Sequence, residues 1–381
     1  MSVGNPFTEL TLDQLRTRTS AKWRRYDADV LPLWVAEMDV PLAPPIREAL
    51  ERVVRDGDTG YPGSTPYVES FVDFAQARWP WPDLAVDAVA PVSSVIQGYT
   101  DALLLATGGK GTVVVTSPVY PPFFSYLRGA GLEVTEAPLT ADLRLDFDAI
   151  EQAFAAATGS VALLLCNPHN PGGTLHTRQE LETLAALAER FSATVVSDEI
   201  HAPLTYPGEE FVPYLAVEGG SRGIALHAAS KAWNLAAMPA ALLVAGPDAA
   251  DLLKDYRAGA HHWPTHFGAI AQTAAYREGG PWLQAALAGL DANRHLLGSL
   301  LAEHVPGAKY HTPASTYLTW VDCRALGLGD DPADVFLKQG RVAFNSGPTF
   351  GTGGEGHVRI NIATHPDILE EAVRRMASVL P

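Results

Sequence analysis

Lys231 stands in "ALHAASKAWNLAAMPAALLVAG" (225–246), a run of small and apolar residues suited to burial. A buried ammonium is costly unless it is paired or neutralised. Such a lysine can keep its stem packed and its head in water. It can also be a desolvated nucleophile that forms an imine with a carbonyl, provided small neighbours let a flat molecule approach. Two more polar groups bear on the choice. Asp198 lies in "SDEIH" (197–201) and Asn170 in "CNPHNPGG" (166–173), each just beyond a short apolar run, as Lys231 lies beyond "GIALH". Each has an ordinary role as well, a helix cap for Asp198 and turn chemistry for Asn-Pro and Pro-Gly-Gly. One ligand accounts for all three together. Pyridoxal phosphate needs a lysine for its aldehyde, an acid beside its pyridinium nitrogen so that the ring withdraws electrons, and a hydrogen bond to its phenolic oxygen.

The phosphate of such a ligand needs donors, best supplied at a helix N-terminus. "APVSSVIQGYTDALLLAT" (90–107) offers Ser93 and Ser94 at the opening of a helix, where a plain serine cap serves equally well. Tyr120 in "SPVYPPF" (117–123) is placed either to lie on the coenzyme ring or to pack its own loop.

These groups need a scaffold. Apolar runs recur at 111–118, 160–168, 193–199, 223–230 and 240–246, with helical patterns such as "TRQELETLAALAERF" (177–191) between several of them. Short buried strands alternating with helices predict an α/β chain with a mostly parallel sheet covered on both faces. Ligands of such sheets bind outside the carboxyl ends of the strands, where all three motifs fall. From about residue 280 a long Ala/Leu-rich helix pattern leads into "STYLTWVDCR" and "HVRINIAT", which alternate as strands do. The expected division is a large coenzyme-binding domain over 47–278 and a smaller α+β domain made of 1–46 and 279–381.

With 381 residues, 47% hydrophobic and 18% charged, the chain has the composition of a folded globular protein long enough for two lobes. The formal charge of −16 never gathers into a basic run, which disfavours nucleic acid and anionic membranes as partners. Cys166 and Cys323 are far apart inside apolar runs, as expected of reduced thiols in a cytoplasmic protein. "MSVGNPFTELTLDQLRTR" lacks the apolar core of a signal peptide, and no run of about 18 apolar residues is present, so neither secretion nor membrane spanning is expected.

Lys231 in "SKAWN", Asp198 in "SDEIH", Asn170 in "NPHNPGG" and Arg359 in "VRINIAT" resemble the class I/II aminotransferase superfamily of fold-type I pyridoxal-phosphate enzymes. "LPLWVAEMDVP", "TGYPG", "SPVYPPF", "STYLTWVDCR" and "FNSGPTFG" resemble its cystathionine β-lyase branch, the MalY/PatB-type C–S lyases, over nearly the whole chain from about residue 30. The resemblance implies pyridoxal 5'-phosphate as cofactor and an amino acid as substrate. It implies that Lys231 holds the coenzyme and moves the Cα proton, that Asp198 pairs with the ring nitrogen, and that Asn170 and His201 face the phenolic oxygen. Tyr120 would stack on the ring, and Arg359 would clamp the substrate carboxylate. Tyr61 of "TGYPG" would reach the phosphate of a neighbouring subunit, making a homodimer with a shared site. Trp34, with the rest of "WVAEMD", would help wall the distal part of the substrate.

Two positions depart from the aminotransferase pattern. Pro239 stands where an arginine usually binds phosphate, and Ala228 where a hydroxyl is common. Backbone amides near Ser93 and Ser94, with Tyr61 from the other chain, would then do more of that work. Other signatures lack their context. "GTGGEG" (351–356) precedes a strand rather than opening a helix, and Pro264 interrupts "HHWPTH" (261–266) as a zinc helix. The expected reaction is β-elimination of a thiol from an L-cysteine derivative, giving pyruvate and ammonia. Transamination with the same groups is the rival, and a coenzyme-bearing regulatory or binding protein is the alternative of another class.

Overall fold

The computed structural model describes residues 4–63, 66–252, 254 and 263–380. Its centre is a sheet of seven strands, which we label β1 (Val89–Val92), β2 (Thr112–Val115), β3 (Glu133–Glu136), β4 (Val161–Cys166), β5 (Thr194–Asp198), β6 (Ile224–His227) and β7 (Ala241–Ala245). The order across the sheet is β1-β7-β6-β5-β4-β2-β3. Neighbours from β6 to β3 run parallel, and β7 alone is reversed, antiparallel to both β6 and β1. A parallel return needs a crossover, usually a helix. Residues 228–240, which join β6 to β7, form turns around Lys231 instead, so the chain doubles back.

Two strands escape the sequence pattern because they are edges. β1 contains Pro91, which lacks an N–H and is tolerated where only one neighbour pairs. β3 reads "EVTE", half-exposed with two carboxylates, unlike the interior strands, which are buried except at Thr194. In those interior strands successive side chains serve opposite layers. Val113, Val115, Ala162, Leu164, Val196 and Leu226 pack into one cluster with the helices Val95–Thr107 and Pro122–Gly129. Val114, Leu163, Leu165 and Val195 pack into another with Phe147–Ala156 and Arg178–Arg190. Both faces are therefore covered, which is why the runs are continuously apolar rather than alternating.

Local chemistry sets the helix ends. Arg178–Arg190 starts on a capping box, Thr177 and Glu180 each serving the other's backbone N–H. Val95–Thr107 starts on Ser94, whose Oγ accepts from Gln97 N at 3.2 Å. That helix lies close on the sheet because position 98 is glycine; a Cβ there would come within 2.6 Å of Leu226.

A second sheet of four antiparallel strands is built from Asn345–Ser346, His357–Asn361, Leu318–Asp322 and Lys309–Tyr310, in that order, with the long helix Gly280–His304 nearby in sequence. The N-terminal segment joins this part of the chain: Leu31 and Pro32 pair with Val342 and Ala343. The two sheets meet at the Pro-Gly-Gly turn. Gly173 has φ +66°, and a Cβ on it would lie 2.3 Å from Pro313, so only glycine lets its carbonyl accept from Ala314 and Ser315 N. Among the described residues no helix is long and apolar enough to cross a membrane.

Candidate active site

β7 is reversed twice over, so β1 points the same way as β2, β4, β5 and β6, and their carboxyl ends share one edge of the sheet. Ser94, Tyr120, Asn170, Asp198 and Lys231 each lie at or just beyond one of those ends. These five and His201 line a single pocket. Short turns after buried strands deliver them there, and the strands are fixed by apolar packing to which, of the five, Tyr120 adds its ring.

Lys231 is half-buried, and its Nζ donates to the Ala36 carbonyl at 3.4 Å. Burial, then the nearby Arg359 charge, push its amine down to about 8, against the opposing pull of Asp198 and Glu37. Asp198 is buried, and its Oδ1 accepts from Ile200 N at 3.2 Å. Burial carries its carboxyl up to about 7, although that hydrogen bond and the Lys231 charge both favour the anion. His201 is buried three residues further on; loss of water, with Lys231 and Arg359 nearby, holds its imidazole neutral, well below the usual histidine range. Among the described residues its Nδ1 has no partner.

Asn170 is buried in the turn after β4, its N–H donating to Cys166 Sγ at 3.3 Å and its Oδ1 accepting from Arg359 Nη1 at 3.1 Å. Arg359 comes from the other sheet, where it pairs with Trp320 and Asn345 across its strand. It is buried, its Nη2 donates to the Trp34 carbonyl at 2.9 Å, it lies over the Phe350 ring, and its Nε is unpartnered among the described residues. Burial brings it down to about 10 and leaves it charged at neutral pH.

The other expected residues are placed differently. Ser94 caps its helix, and Val95 and Ile96, the first two helical residues, line the pocket; their N–H groups have no partner within the helix. Ser93 is half-buried beside it. Trp34 enters through its carbonyl, while its indole meets Tyr26 edge-on and the Arg25 guanidinium. Tyr61 is 98% exposed and lines no wall of this pocket. Pro239 is part of the wall, has no N–H, and gives its carbonyl to Thr265; Ala228 is buried without a hydroxyl. His262 of "HHWPTH" lies outside the described residues, and among those described no three His, Cys, Asp or Glu side chains are gathered to hold a metal.

Sequence reasoning put Ala36 and Glu37 in the "WVAEMD" wall without a role for either, and it missed Tyr317. The Tyr317 hydroxyl donates to the Ala36 carbonyl at 3.2 Å, and the ring lies edge-on to His201. Nothing in "STYLTWVDCR" separates this tyrosine from an ordinary core one.

Pyridoxal phosphate fits this set of groups. Burial raises the Asp198 carboxyl to about 7 despite the pull of the Lys231 charge, and a pyridinium nitrogen against it would supply the further positive charge that favours the anion. His201 Nδ1 and Arg359 Nε are buried without partners among the described residues, and the amine of Lys231 is lowered toward neutrality.

Comparison with known proteins agrees. The family model for aminotransferase class I and II matches residues 55–376. A protein of Mycobacterium tuberculosis (strain ATCC 25618 / H37Rv) named "Putative cystathionine beta-lyase" is 50% identical over 402 residues, covering 99% of both chains. The cystathionine beta-lyase of Corynebacterium glutamicum is 33% identical over 97% of this chain and 99% of its own. Cystalysin from Treponema denticola, whose crystal structure contains a pyridoxal 5'-phosphate cofactor, superimposes with a TM-score of 0.89 at 26% identity, over 99% of this chain and 98% of its own.

Proposed function

The chain belongs to the aminotransferase class I and II family, and from that premise we propose that it is a pyridoxal-phosphate-dependent carbon–sulfur β-lyase. It eliminates a thiol from an L-cysteine derivative of the cystathionine type and yields pyruvate and ammonia. The observation that carries this reading is the convergence of Lys231, Asp198, Asn170 and His201 on one pocket, with Arg359 hydrogen-bonded to Asn170 beside it. The names of the relatives at 50% and 33% identity favour elimination over transamination.

When bound, the coenzyme supplies an aldehyde that captures the substrate amine and a ring that withdraws electrons from Cα. Lys231 would hold it covalently. Asp198 would keep the ring nitrogen protonated by presenting a carboxylate that burial makes eager for a cationic neighbour. Asn170 and His201 would flank the phenolic oxygen, His201 as a neutral ring. The helix start at Ser94, with the Val95 and Ile96 amides and Ser93 beside it, would receive the phosphate. Tyr120 would lie against the ring.

The substrate's α-carboxylate would meet the Arg359 guanidinium, whose free Nε and planar fork suit bidentate binding. The Asn170 and Trp34 contacts hold that fork in place. Free Lys231, lowered to about 8, then exists as the neutral amine in useful amount near pH 7 to 8 and takes the Cα proton. The Cα–H electron pair becomes the Cα–Cβ π bond, the Cβ–S bond breaks, and sulfur leaves with its electrons to be protonated. Water then converts the remaining amino-acid fragment into pyruvate and ammonia.

Three further elements belong to the same proposal. The chain acts as a homodimer in which exposed Tyr61 completes the phosphate site of its partner, compensating for Pro239 and Ala228. It divides into 47–278 and 1–46 with 279–381, in keeping with the seven-stranded sheet lying within 89–245 and the Leu31–Val342 pairing. It works in the cytoplasm, in keeping with free, buried Cys166 and Cys323.

The test is to incubate the loaded protein with L-cystathionine, and separately with an amino acid plus a 2-oxo acid. Pyruvate with free thiol is expected from the first, and new amino acid from the second would support transamination instead. Lys231→Ala should abolish thiol release and the borohydride-trapped coenzyme adduct. Normal thiol release by that variant sinks the assignment.

A further inference from the structure

Residues 34–39, of which Ala36 lines the pocket, form a strap whose carbonyl oxygens from Trp34 to Met38 are taken one after another. Trp34 O accepts from Arg359 at 2.9 Å and Val35 O from Asn361 Nδ2 at 2.7 Å. Glu37 O accepts from Asn361 Nδ2 at 2.7 Å and Lys22 Nζ at 3.0 Å, and Met38 O from Asn234 Nδ2 at 3.0 Å and from Arg18. Those donors are fixed by their own packing: Lys22, for one, is buried and paired with Asp39 at 2.7 Å. The strap is therefore held in register on both sides of Ala36.

Ala36 O is different. Its donors are the Tyr317 hydroxyl at 3.2 Å and Lys231 Nζ at 3.4 Å, and Lys231 is the one strap donor that the proposed reaction must attach and release. Resting on the reading of Lys231 as the coenzyme-holding lysine, we propose that the Ala36 carbonyl is the station that holds the Lys231 amine whenever it is released, and that Tyr317 is a positioning residue that sets how strongly this oxygen holds it.

A carbonyl oxygen has two lone pairs and can serve both donors. At 3.4 Å the lysine bond is at the long end of a hydrogen bond, which suits a group that must leave again. An amine held through one N–H keeps its own lone pair free for the Cα proton. An ammonium is gripped harder by the same oxygen and is useless as a base, so the grip has to stay weak. Tyr317 supplies that restraint. It is fully buried, burial keeps its hydroxyl protonated, and its O–H draws on the same oxygen that Lys231 uses. The other charged groups around the amine are Asp198 and Glu37, which favour the ammonium, and Arg359, which opposes it; His201 is held neutral, and burial keeps the Tyr120 hydroxyl and Cys166 thiol of the same pocket protonated. The Glu37 carboxylate is anchored by the Ser20 hydroxyl.

The experiment is pulse acetylation of the full-length protein, freed of coenzyme, from pH 6 to 11, with peptide mass spectrometry reading the midpoint of Lys231 and, as reference, of exposed Lys338. Tyr317→Phe should raise the Lys231 midpoint by about half a pH unit, because the oxygen then turns wholly to the ammonium. Lys338 should not move. 3-Fluorotyrosine at position 317, a stronger donor of the same shape, should lower it, which serves equally if the phenylalanine variant fails to fold. In the loaded enzyme the acid limb of the kcat profile should shift with the same sign in each variant. A Lys231 midpoint unmoved by either change, or moved the opposite way, overturns the proposal. The midpoint is read without coenzyme, so its failure is distinct from failure of the lyase reading, which borohydride trapping at Lys231 tests separately.

Discussion

Asp198→Asn should stabilise the coenzyme-free protein and weaken it as a coenzyme binder. In the fold the carboxyl is carried from its ordinary 3.8 to about 7, chiefly by burial. At about 1.4 kcal/mol per unit, the ionised side chain opposes folding by about 4 kcal/mol once fully charged. Well below pH 4 the acid is protonated in both the folded and unfolded chain, and nothing is lost. As pH rises the unfolded chain ionises first, so the folded state loses ground between about pH 4 and 7 and reaches its full penalty above that window. An asparagine amide has no charge to bury and still offers an oxygen to Ile200 N, a weaker bond than the carboxylate makes. The net gain expected at pH 8 is therefore about 2 to 4 kcal/mol, fading to near zero at pH 4. The assay is the urea midpoint of wild type and variant at pH 4, 6 and 8 after removal of the coenzyme, repeated with the coenzyme present. Coenzyme should reverse the order, because only the carboxylate can pair with a protonated ring nitrogen. A variant less stable than wild type at pH 8 without coenzyme, or a gap independent of pH, would refute the reasoning.

Arg359→Lys retains the charge but loses the planar fork and the Asn170 and Trp34 contacts, so kcat/KM should fall by about 10- to 100-fold, mostly in KM, by steady-state assay of thiol release. Lys22→Met leaves the Asp39 carboxylate buried without its 2.7 Å partner and should cost about 3 to 5 kcal/mol, read as a lowered denaturation midpoint at pH 7. Thr177→Ala removes one half of the capping box on Arg178–Arg190, a loss of about 1 kcal/mol, with thiol release unchanged because that helix lines no part of the pocket.

The interior strands and the helix Arg178–Arg190 were legible because burial on both faces and a capping box leave local marks. The edge strands Val89–Val92 and Glu133–Glu136 were not, since an edge tolerates Pro91 and two glutamates that a central strand would reject. The reversal of Ala241–Ala245 was hidden for a related reason: apolar strands read alike in either direction, and only the absence of a crossover helix around Lys231 turns this one back. In the site, Lys231, Asp198 and Asn170 declared themselves as costly or turn-forming groups at the ends of apolar runs. Tyr317 and the Ala36 carbonyl did not, because a backbone oxygen and a core tyrosine carry no local signal of function.

The amino-acid sequence by itself determined which chemical groups this protein has to work with and that strand ends would present them, because periodicity and turn propensity are properties of neighbours along the chain. Only the tertiary structure decided that Arg359 reaches Asn170 across 189 residues, and that the strap from the N-terminal segment offers Lys231 an oxygen shared with Tyr317. The same holds for the charge states. A carboxyl moves to about 7 and an amine to about 8 because distant segments remove water from around them, and removal of water is a consequence of packing that no local stretch of sequence contains.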